Sequence, residues 1–543
     1  MKTKILLLLF LCVYGNSISA QKELTETKKI ASFGKIYGFL KYYHPEVAKG
    51  KFDWDKEFMK YLPQVLAATD KESLSILYLE WIESLGEVKE CKKCDSDENY
   101  FDKNFDLSWT QDTVIFTNEL SSKLKYIENN RNQRDNYYVS TESLGYVKVT
   151  NEPIYKDIAY PAKEYRLLGL LKYWNTIEYF YPYKYLTDQD WDAVLTEMIP
   201  KIQNVLNISE YQSTLKELVA KLDDSHAWIN FGITPNTKSL PVKISNVENK
   251  AVISGFYNDS IAALNNLKLG DVILKINGSD IQSELEKKLK FISGSNKNDK
   301  INKAYNYLFI GTKDTLTLTV KRDGDILDLT TNRYNFGVFN YLKNKKKLKS
   351  KAISETIGYI NMASSFERKD IETIFKSFKN KKAIIIDLRH YPQLIHWMFT
   401  RHLTSDKTEF FKAYRPSIHY PGKFIFKKSL KTIGNKNAYK GKVIILVSNE
   451  SLSRSEFTAM AFQTADNAIT VGNQTAGADG ENKVIEYMGG YKTAFTGTGI
   501  LYPDGTETQR KGVKIDIEIK PTINGLRQGR DEVLEKAIEI ANE

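Results

Sequence analysis

Cysteine is nearly absent: among 543 residues only Cys12, Cys91 and Cys94 occur. Cys12 lies in the first apolar run, so two thiols remain for the folded chain, and two cannot complete the four-ligand set of a structural zinc site. Cys91 and Cys94 form a C-x-x-C in a polar, charged turn, where a local disulfide in an oxidising compartment is expected. Histidine is scarce too, at six. His44, His390, His396, His402 and His419 make no His-Glu-x-x-His pattern and no close carboxylate pairing, which argues against catalytic zinc. No Gly-rich loop precedes a Lys-Ser/Thr helix, since Gly477 and Gly480 stand in a different context, so phosphate-cradling chemistry is unsupported. No metal and no cofactor are therefore expected. Beyond the first twenty residues, no stretch approaches the roughly 20 apolar residues of a membrane span, and none is expected. Charge is not concentrated either. The 78 Lys and Arg against 67 Asp and Glu give +11, mostly as dispersed lysine. The densest run, six lysines between Lys343 and Lys351, lacks interleaved aromatics to stack bases. It reads as a solvated linker, and no nucleic-acid partner is expected.

What is present is globular: 42% hydrophobic, 27% charged and 12% aromatic, over a length that suggests about three to five domains. Met1–Ala20 has a secretory leader pattern: Lys2 and Lys4, the apolar run Ile5–Val13, then the small residues Ser17, Ser19 and Ala20. Export to a periplasmic or extracellular location is expected.

The first half repeats itself at an offset of 137 residues. The offset pairs Tyr42 with Tyr179, Pro45 with Pro182, Asp53-Trp54-Asp55 with Asp190-Trp191-Asp192, Pro63 with Pro200 and Leu85 with Leu222, without a gap. Ile36, Phe39, Leu40, Tyr43 and Leu170, Leu171, Trp174, Ile177 have three-and-four spacing, which predicts amphipathic helices. Each copy reads as three helices, the first ending at the proline and the second starting at Asp-Trp-Asp. The copies diverge at their ends. After Leu222 the second continues Asp223-Asp224-Ser225-His226, and the same offset puts Lys89 of the first copy in the slot of His226. Between the copies, Thr113–Thr117 and Gly145–Val149 suggest a short strand-bearing insert.

From about Leu240 to Tyr334 the pattern changes to strands: Ala251–Ser254, Leu269–Asn277 and Asp314–Val320, with an Asn277-Gly278 hairpin turn. Leu269-Gly270-Asp271-Val272-Ile273-Leu274-Lys275-Ile276-Asn277-Gly278 resembles a PDZ domain. That resemblance implies capture of an extended chain, often a free C-terminus, by strand addition to a sheet edge.

Farther on, the apolar runs Ile357–Ile360, Ala383–Leu388 and Val443–Val447, with the helical-looking stretch Asp370–Lys379, predict an α/β unit with a mainly parallel sheet. Active residues gather at the carboxyl ends of such strands. Val443–Val447 runs directly into Ser448-Asn449-Glu450-Ser451-Leu452-Ser453-Arg454-Ser455-Glu456, and a helical pattern starts at about Ser455. A hydroxyl on that turn faces the free N–H groups of an opening helix, which suits a nucleophilic serine and an oxyanion. Helix capping would use the same residue types, so Ser451, Ser453 and Ser455 are not separated by this reading alone.

Ser451–Glu456 resembles the S-A-S-A-S-E signature of the C-terminal processing (tail-specific) serine peptidases. Val471-Gly472-Asn473-Gln474-Thr475-Ala476-Gly477 resembles their V-G-x-x-T-x-G, and Tyr502–Gly505 with Gly512–Asp516 their closing run. The resemblance covers roughly Arg166 to Ala541 and implies Ser453 as nucleophile, with the backbone N–H of Arg454 in the oxyanion hole. Where Ser-Lys members carry lysine this chain has Ala478. The tricorn-like branch instead uses a Ser-His pair, matched here by Ser225-His226, which implies His226 as general base. Its ordinary pKa near 6.5 would make activity fall as pH drops through roughly 6–7. The branch's helper glutamate corresponds to Gln509, whose amide cannot offset an imidazolium, leaving Ser225 as the expected orienter of His226. The glycines of the family's D-L-R-x-N-x-G-G are missing from Asp387–Leu394.

The expected architecture is a multidomain α+β protein: leader 1–20, first helical unit 21–95, insert 96–161, second helical unit 162–238, PDZ-like β domain 239–335, basic linker 336–352 and α/β peptidase core 353–543. The expected function is an exported serine endopeptidase acting on peptide or protein substrates, with His390 or His396 as fallback bases. A catalytically inactive peptide-binding protein on the same scaffold is the alternative, and a hydrolase of non-peptide esters is a third.

Overall fold

The computed structural model describes residues 24–92, 94, 99–142, 146–232, 236–339 and 348–543. The leader, Gly145 and most of the linker lysines lie outside the described residues.

The repeat is structural. Helices α1 (Glu26–Tyr43), α2 (Trp54–Ala67) and α3 (Lys71–Ser84) recur at the same offset as α4 (Lys163–Phe180), α5 (Trp191–Gln203) and α6 (Ile208–Ala220). Their starts are set by equivalent caps. Asp53 and Asp190 accept N–H bonds opening α2 and α5, as Asp70 and Asn207 do for α3 and α6. Trp54 donates its indole N–H to Tyr37 O at 3.2 Å, and Trp191 makes the equivalent bond to Trp174 O at 3.1 Å.

Equivalent residues of the two copies also face each other. A Cβ on Gly34 would strike Leu171 and one on Gly38 would strike Asn175, while Tyr42 meets Tyr179 edge-on at 5.3 Å. The copies thus pack like the halves of a two-fold dimer. This is why α1 and α4 depart from the amphipathic expectation: both are buried on nearly every side.

The insert contains a helix, Asn118–Asn129, that its composition did not announce, and Thr113–Thr117 is a turn leading to the Thr117 cap instead of a strand. Val147–Val149 is a strand, paired with Val139–Thr141. Cys91 and Cys94 form a disulfide.

Just past His226 comes a short strand, β1 (Trp228–Asn230). The next domain is a five-stranded antiparallel path of β2 (Val242–Val247), β3 (Lys250–Phe256), β4 (Val272–Ile276), β5 (Thr315–Arg322) and β6 (Asp325–Asn332), ordered β6-β5-β4-β3-β2. Asn277 and Gly278 at φ 49° and 82° make the predicted hairpin turn, with both central residues left-handed. Helix α7 (Lys297–Leu308) lies along β2, which is an edge strand.

The C-terminal core holds the parallel strands β7 (Ile357–Asn361), β8 (Ala383–Asp387), β9 (Lys442–Val447) and β10 (Ala468–Gly472), flanked by an antiparallel strand at Ser350–Ala352 and a parallel one at Ile517–Glu518. The chain therefore enters this sheet before residue 353. Both faces are covered, which accounts for the continuous apolar runs: Ile384 and Ile386 pack with Phe375 and Phe399, while Ile385 and Ile444 pack with Val533 and Ala537. Strand β11 (Tyr491–Thr496) sits apart from this sheet and pairs antiparallel with β1. Among the described residues no helix is long and apolar enough to cross a membrane.

Candidate active site

Adjacent parallel strands bring two segments together. β9 ends at Val447 opposite Gly472, the last residue of β10, so the turn 448–453 and the segment 473–480 emerge side by side at the carboxyl edge. Helix α8 (Arg454–Phe462) starts immediately after Ser453. Ser453 has φ 56° and ψ −113°, a strained conformation for a residue with a side chain. Its backbone N–H is shared between Ala478 O at 3.0 Å and the Glu456 carboxylate at 3.1 Å.

The three serines now separate. Ser451 donates to Leu388 O at 2.8 Å and Ser455 to His390 O at 3.1 Å, so both tie the turn to the loop after β8. The Ser453 hydroxyl donates to no protein group among the described residues. The N–H of Arg454, first in α8, has no partner among the described residues, as is usual for the opening N–H of a helix.

Glu456 was not singled out by chemistry in the sequence, yet it fixes the geometry. Its fully buried carboxylate takes Thr475 Oγ1 at 2.5 Å, Gly477 N at 2.8 Å and Ala478 N at 3.1 Å besides Ser453 N. Burial pushes it up to about 7 against the pull of these donors. Ala478 is thereby held by both its N–H and its carbonyl at the position where the Ser-Lys pattern has its base. Lys483 is paired with Glu142 of the insert at 3.1 Å. Asp479 is pushed well above the usual carboxylate range, by burial and then by the charge of Glu456.

His226 arrives from the other side. The β1–β11 register, Ala494 opposite Trp228 and Lys492 opposite Asn230, continues to set Thr496 across from His226. Thr496 Oγ1 lies 2.9 Å from His226 Nδ1 and donates to Asp224 Oδ1 at 3.0 Å. Asp224 also accepts the backbone N–H of His226 (3.0 Å) and of Thr496 (2.7 Å). A carboxylate only accepts, so the threonine proton is committed to Asp224 and its oxygen must accept from Nδ1–H. Nε2 is then the unprotonated nitrogen. Burial, opposed by Asp224, lowers the His226 pKa below its ordinary value and keeps the ring neutral.

The expected orienters are placed differently. The Ser225 hydroxyl is 2.5 Å from Asp299, accepts Ser295 N at 2.8 Å and reaches Ala476 O at 3.3 Å, so it does not hold the imidazole; Thr496 does. Gln509 meets Asp224 and Ser295 Oγ, both at 3.3 Å, and not the ring. Asp224 supplies next to His226 the negative charge that Gln509 lacks.

The segment 475–480 joins the two halves. Ser453 N bonds Ala478 O, Ser225 Oγ lies 3.3 Å from Ala476 O, and the Thr496 methyl lies against Gly480. Ser453 and His226 thus border one strip of chain, although no hydrogen bond joins Oγ to Nε2 in this structure. Catalytic pairs are often looser in the free enzyme than with substrate bound. His390 lies on the loop tied to Ser455; His396 packs among Trp397, Phe410 and Phe457, and burial pushes it down to about 4. Among the described residues no cluster of His, Cys, Asp or Glu could hold a metal.

Residues 356–519 match the model of peptidase family S41, and residues 236–355 match a PDZ domain model. No curated protein matches the chain. The fold is similar to that of mature CPAF complexed with lactacystin, with TM-score 0.56 at 14% identity over 70% of this chain and 98% of that one. Mature CPAF gives 0.55 at 15% over the same shares. The photosystem II D1 C-terminal processing protease matches with TM-score 0.41 at 15% identity, over 67% of this chain and 97% of that one.

Proposed function

Given that residues 356–519 match peptidase family S41, we propose that this chain is an exported serine endopeptidase in which Ser453 is the nucleophile and His226 the general base. Ser453 Oγ attacks the scissile carbonyl carbon while its proton passes to His226 Nε2. The imidazolium keeps its Nδ1–H on Thr496, whose own proton rests on Asp224. The carbonyl oxygen, now negative, takes the N–H of Arg454 at the start of α8. His226 returns the proton to the leaving amine, the acyl-serine forms, and water attacks it by the same route in reverse. The observation that carries this reading is the ordered bond chain from Asp224 through Thr496 to Nδ1, which leaves Nε2 free to accept a proton.

The substrate class is peptide or protein, supported by the peptidase and PDZ matches. Export is supported by the leader pattern of Met1–Ala20 and by the Cys91–Cys94 disulfide, since such bonds persist in oxidising compartments. The test is incubation of the whole protein with a serine-directed fluorophosphonate and mapping of the adduct. Labelling of Ser453, absent in Ser453→Ala and slowed in His226→Ala, is expected. A protein that takes no adduct at Ser453 would be the inactive peptide-binding scaffold instead.

A further inference from the structure

The edge strand β2 does not present free backbone groups at its middle. Asn306 of α7 accepts Ile244 N at 3.3 Å and donates to Ile244 O at 2.8 Å, so one side-chain amide does for Ile244 what a partner residue of an added antiparallel strand would do. One turn earlier, Asn302 accepts Asn246 N at 2.6 Å, and a turn before that Asn298 meets the Asn246 side chain at 3.3 Å. The spacing has a geometric reason. Four helical residues rise about 6 Å and two strand residues about 6.6 Å, so asparagines at every fourth position of a helix stay in register with alternate residues of a strand.

The other end of the same helix grips the histidine segment. Its cap, Asn296, donates to Thr475 O at 2.9 Å and Ala476 O at 3.0 Å. Asp299 receives the Ser225 hydroxyl at 2.5 Å, and Lys303 donates to Ser225 O at 3.0 Å. Helix α7 and its cap therefore touch Thr475 and Ala476, three and two residues before the Ala478 that Ser453 N contacts, and Ser225, the residue before His226. Lys243 at the start of β2 pairs with Glu450, three residues before Ser453, so strand and helix both abut the candidate active site.

We propose that α7 is a positioning element for His226, with Asp299 and Asn296 as positioning residues, and that its asparagine ladder closes the β2 edge to an added polypeptide strand. This assigns the PDZ domain a structural duty toward the peptidase site in place of chain capture at that edge. The inference rests on His226 being the base.

Two independent measurements on the full chain test it. In hydrogen exchange, the amides of Ile244 and Asn246 should be protected like those of a paired strand, and Asn302→Ala/Asn306→Ala should speed their exchange about tenfold. Exchange in the wild type as fast as at an open edge would overturn the closure. In kinetics with a short fluorogenic peptide, Asp299→Ala should lower kcat about tenfold with KM little changed. Asp299→Asn should recover most of it, because the amide oxygen still accepts the Ser225 proton. Wild-type kcat in Asp299→Ala, in protein whose Ser453 still takes the phosphonate, would refute the positioning role while leaving the peptidase reading intact. Both kinetic variants leave the ladder in place, so this arm does not depend on the double variant folding.

Discussion

Thr496→Val is the most informative single change, because it removes one oxygen and keeps the shape. Thr496 is fully buried on β11 and faces His226 across the strand pair. Valine fills the same volume there, and β-branched residues suit a strand. The carboxylate of Asp224 keeps three of its four bonds: from the backbones of His226 and Thr496 and from Gln509. His226 Nδ1–H, by contrast, loses its acceptor in a buried site. An unmet buried donor costs about 1–3 kcal/mol. The ring can avoid that cost by turning or by moving its proton to Nε2, and either escape removes the base. If most of this cost falls on the barrier, kcat drops about 10–100-fold, since each 1.36 kcal/mol is tenfold. KM should stay near the wild-type value, because Thr496 is not positioned to touch substrate. The assay is steady-state cleavage of a fluorogenic peptide, with Thr496→Ser as control: its hydroxyl restores the bridge and should return most of the rate. A Thr496→Val enzyme within twofold of wild type would refute the tautomer argument. So would equal losses in Val and Ser.

His226→Ala should lose a general-base factor of about 10²–10⁴, whereas Lys483→Ala and Lys89→Ala should stay within a few-fold; a lysine variant as damaged as the histidine variant would point to Ser-Lys chemistry. The acid limb of the pH–rate profile should lie below 6.5, lower than an ordinary histidine would give, because burial depresses the His226 pKa despite Asp224 and Asp299, with Lys303 adding to the fall. Protonation removes the base, so activity is lost as pH drops through that limb, and a limb at or above 7 would contradict the buried, neutral ring. Burial and the charge of Glu456 raise the Asp479 pKa on folding well above that of the unfolded carboxyl, which is ionised above about 4, so the residue costs stability increasingly as pH rises above that value. Asp479→Asn should therefore stabilise the protein more at pH 8 than at pH 5 in urea unfolding, and an equal effect at both would overturn the assignment.

The sequence reading reached the elements that local pattern encodes. The repeat aligned helices to the residue, since each start is set by its own cap: Asp53, Asp190, Asp70, Asn207. The Asn277-Gly278 turn and the apolar strands of the core were legible for the same reason. What was hidden depends on register between distant strands. Thr496 and His226 are 270 residues apart and meet only because β1 and β11 pair as they do. Nothing in Phe495-Thr496-Gly497 marks a residue that holds an imidazole, and Asp224 looked like one of two acids closing a helix. Glu456 was hidden differently. It stood inside the quoted signature, but its four bonds to backbone and hydroxyl donors follow from how 475–478 folds back over the turn.

The two copies of the repeat differ most where the candidate base stands. Both copies leave their third helix through a left-handed residue at equivalent positions, Gly86 at φ 97° and Asp223 at φ 47°. Glycine takes that conformation without cost; aspartate does so less readily and needs holding. Asp223 is held by accepting Asp188 N at 2.8 Å and by Lys300 of α7 at 3.6 Å. Past this pivot the first copy turns into a closed local structure, with Cys91 N on Asn130 and a disulfide to Cys94. The second runs directly into β1, and the pairing of β1 with β11 sets His226 against Thr496. A residue that tolerates the pivot only when held, followed at once by the candidate base, ties the strain of the exit turn to the placement of the imidazole. The first copy, with glycine at the pivot and Lys89 in the histidine slot, has no such demand to meet.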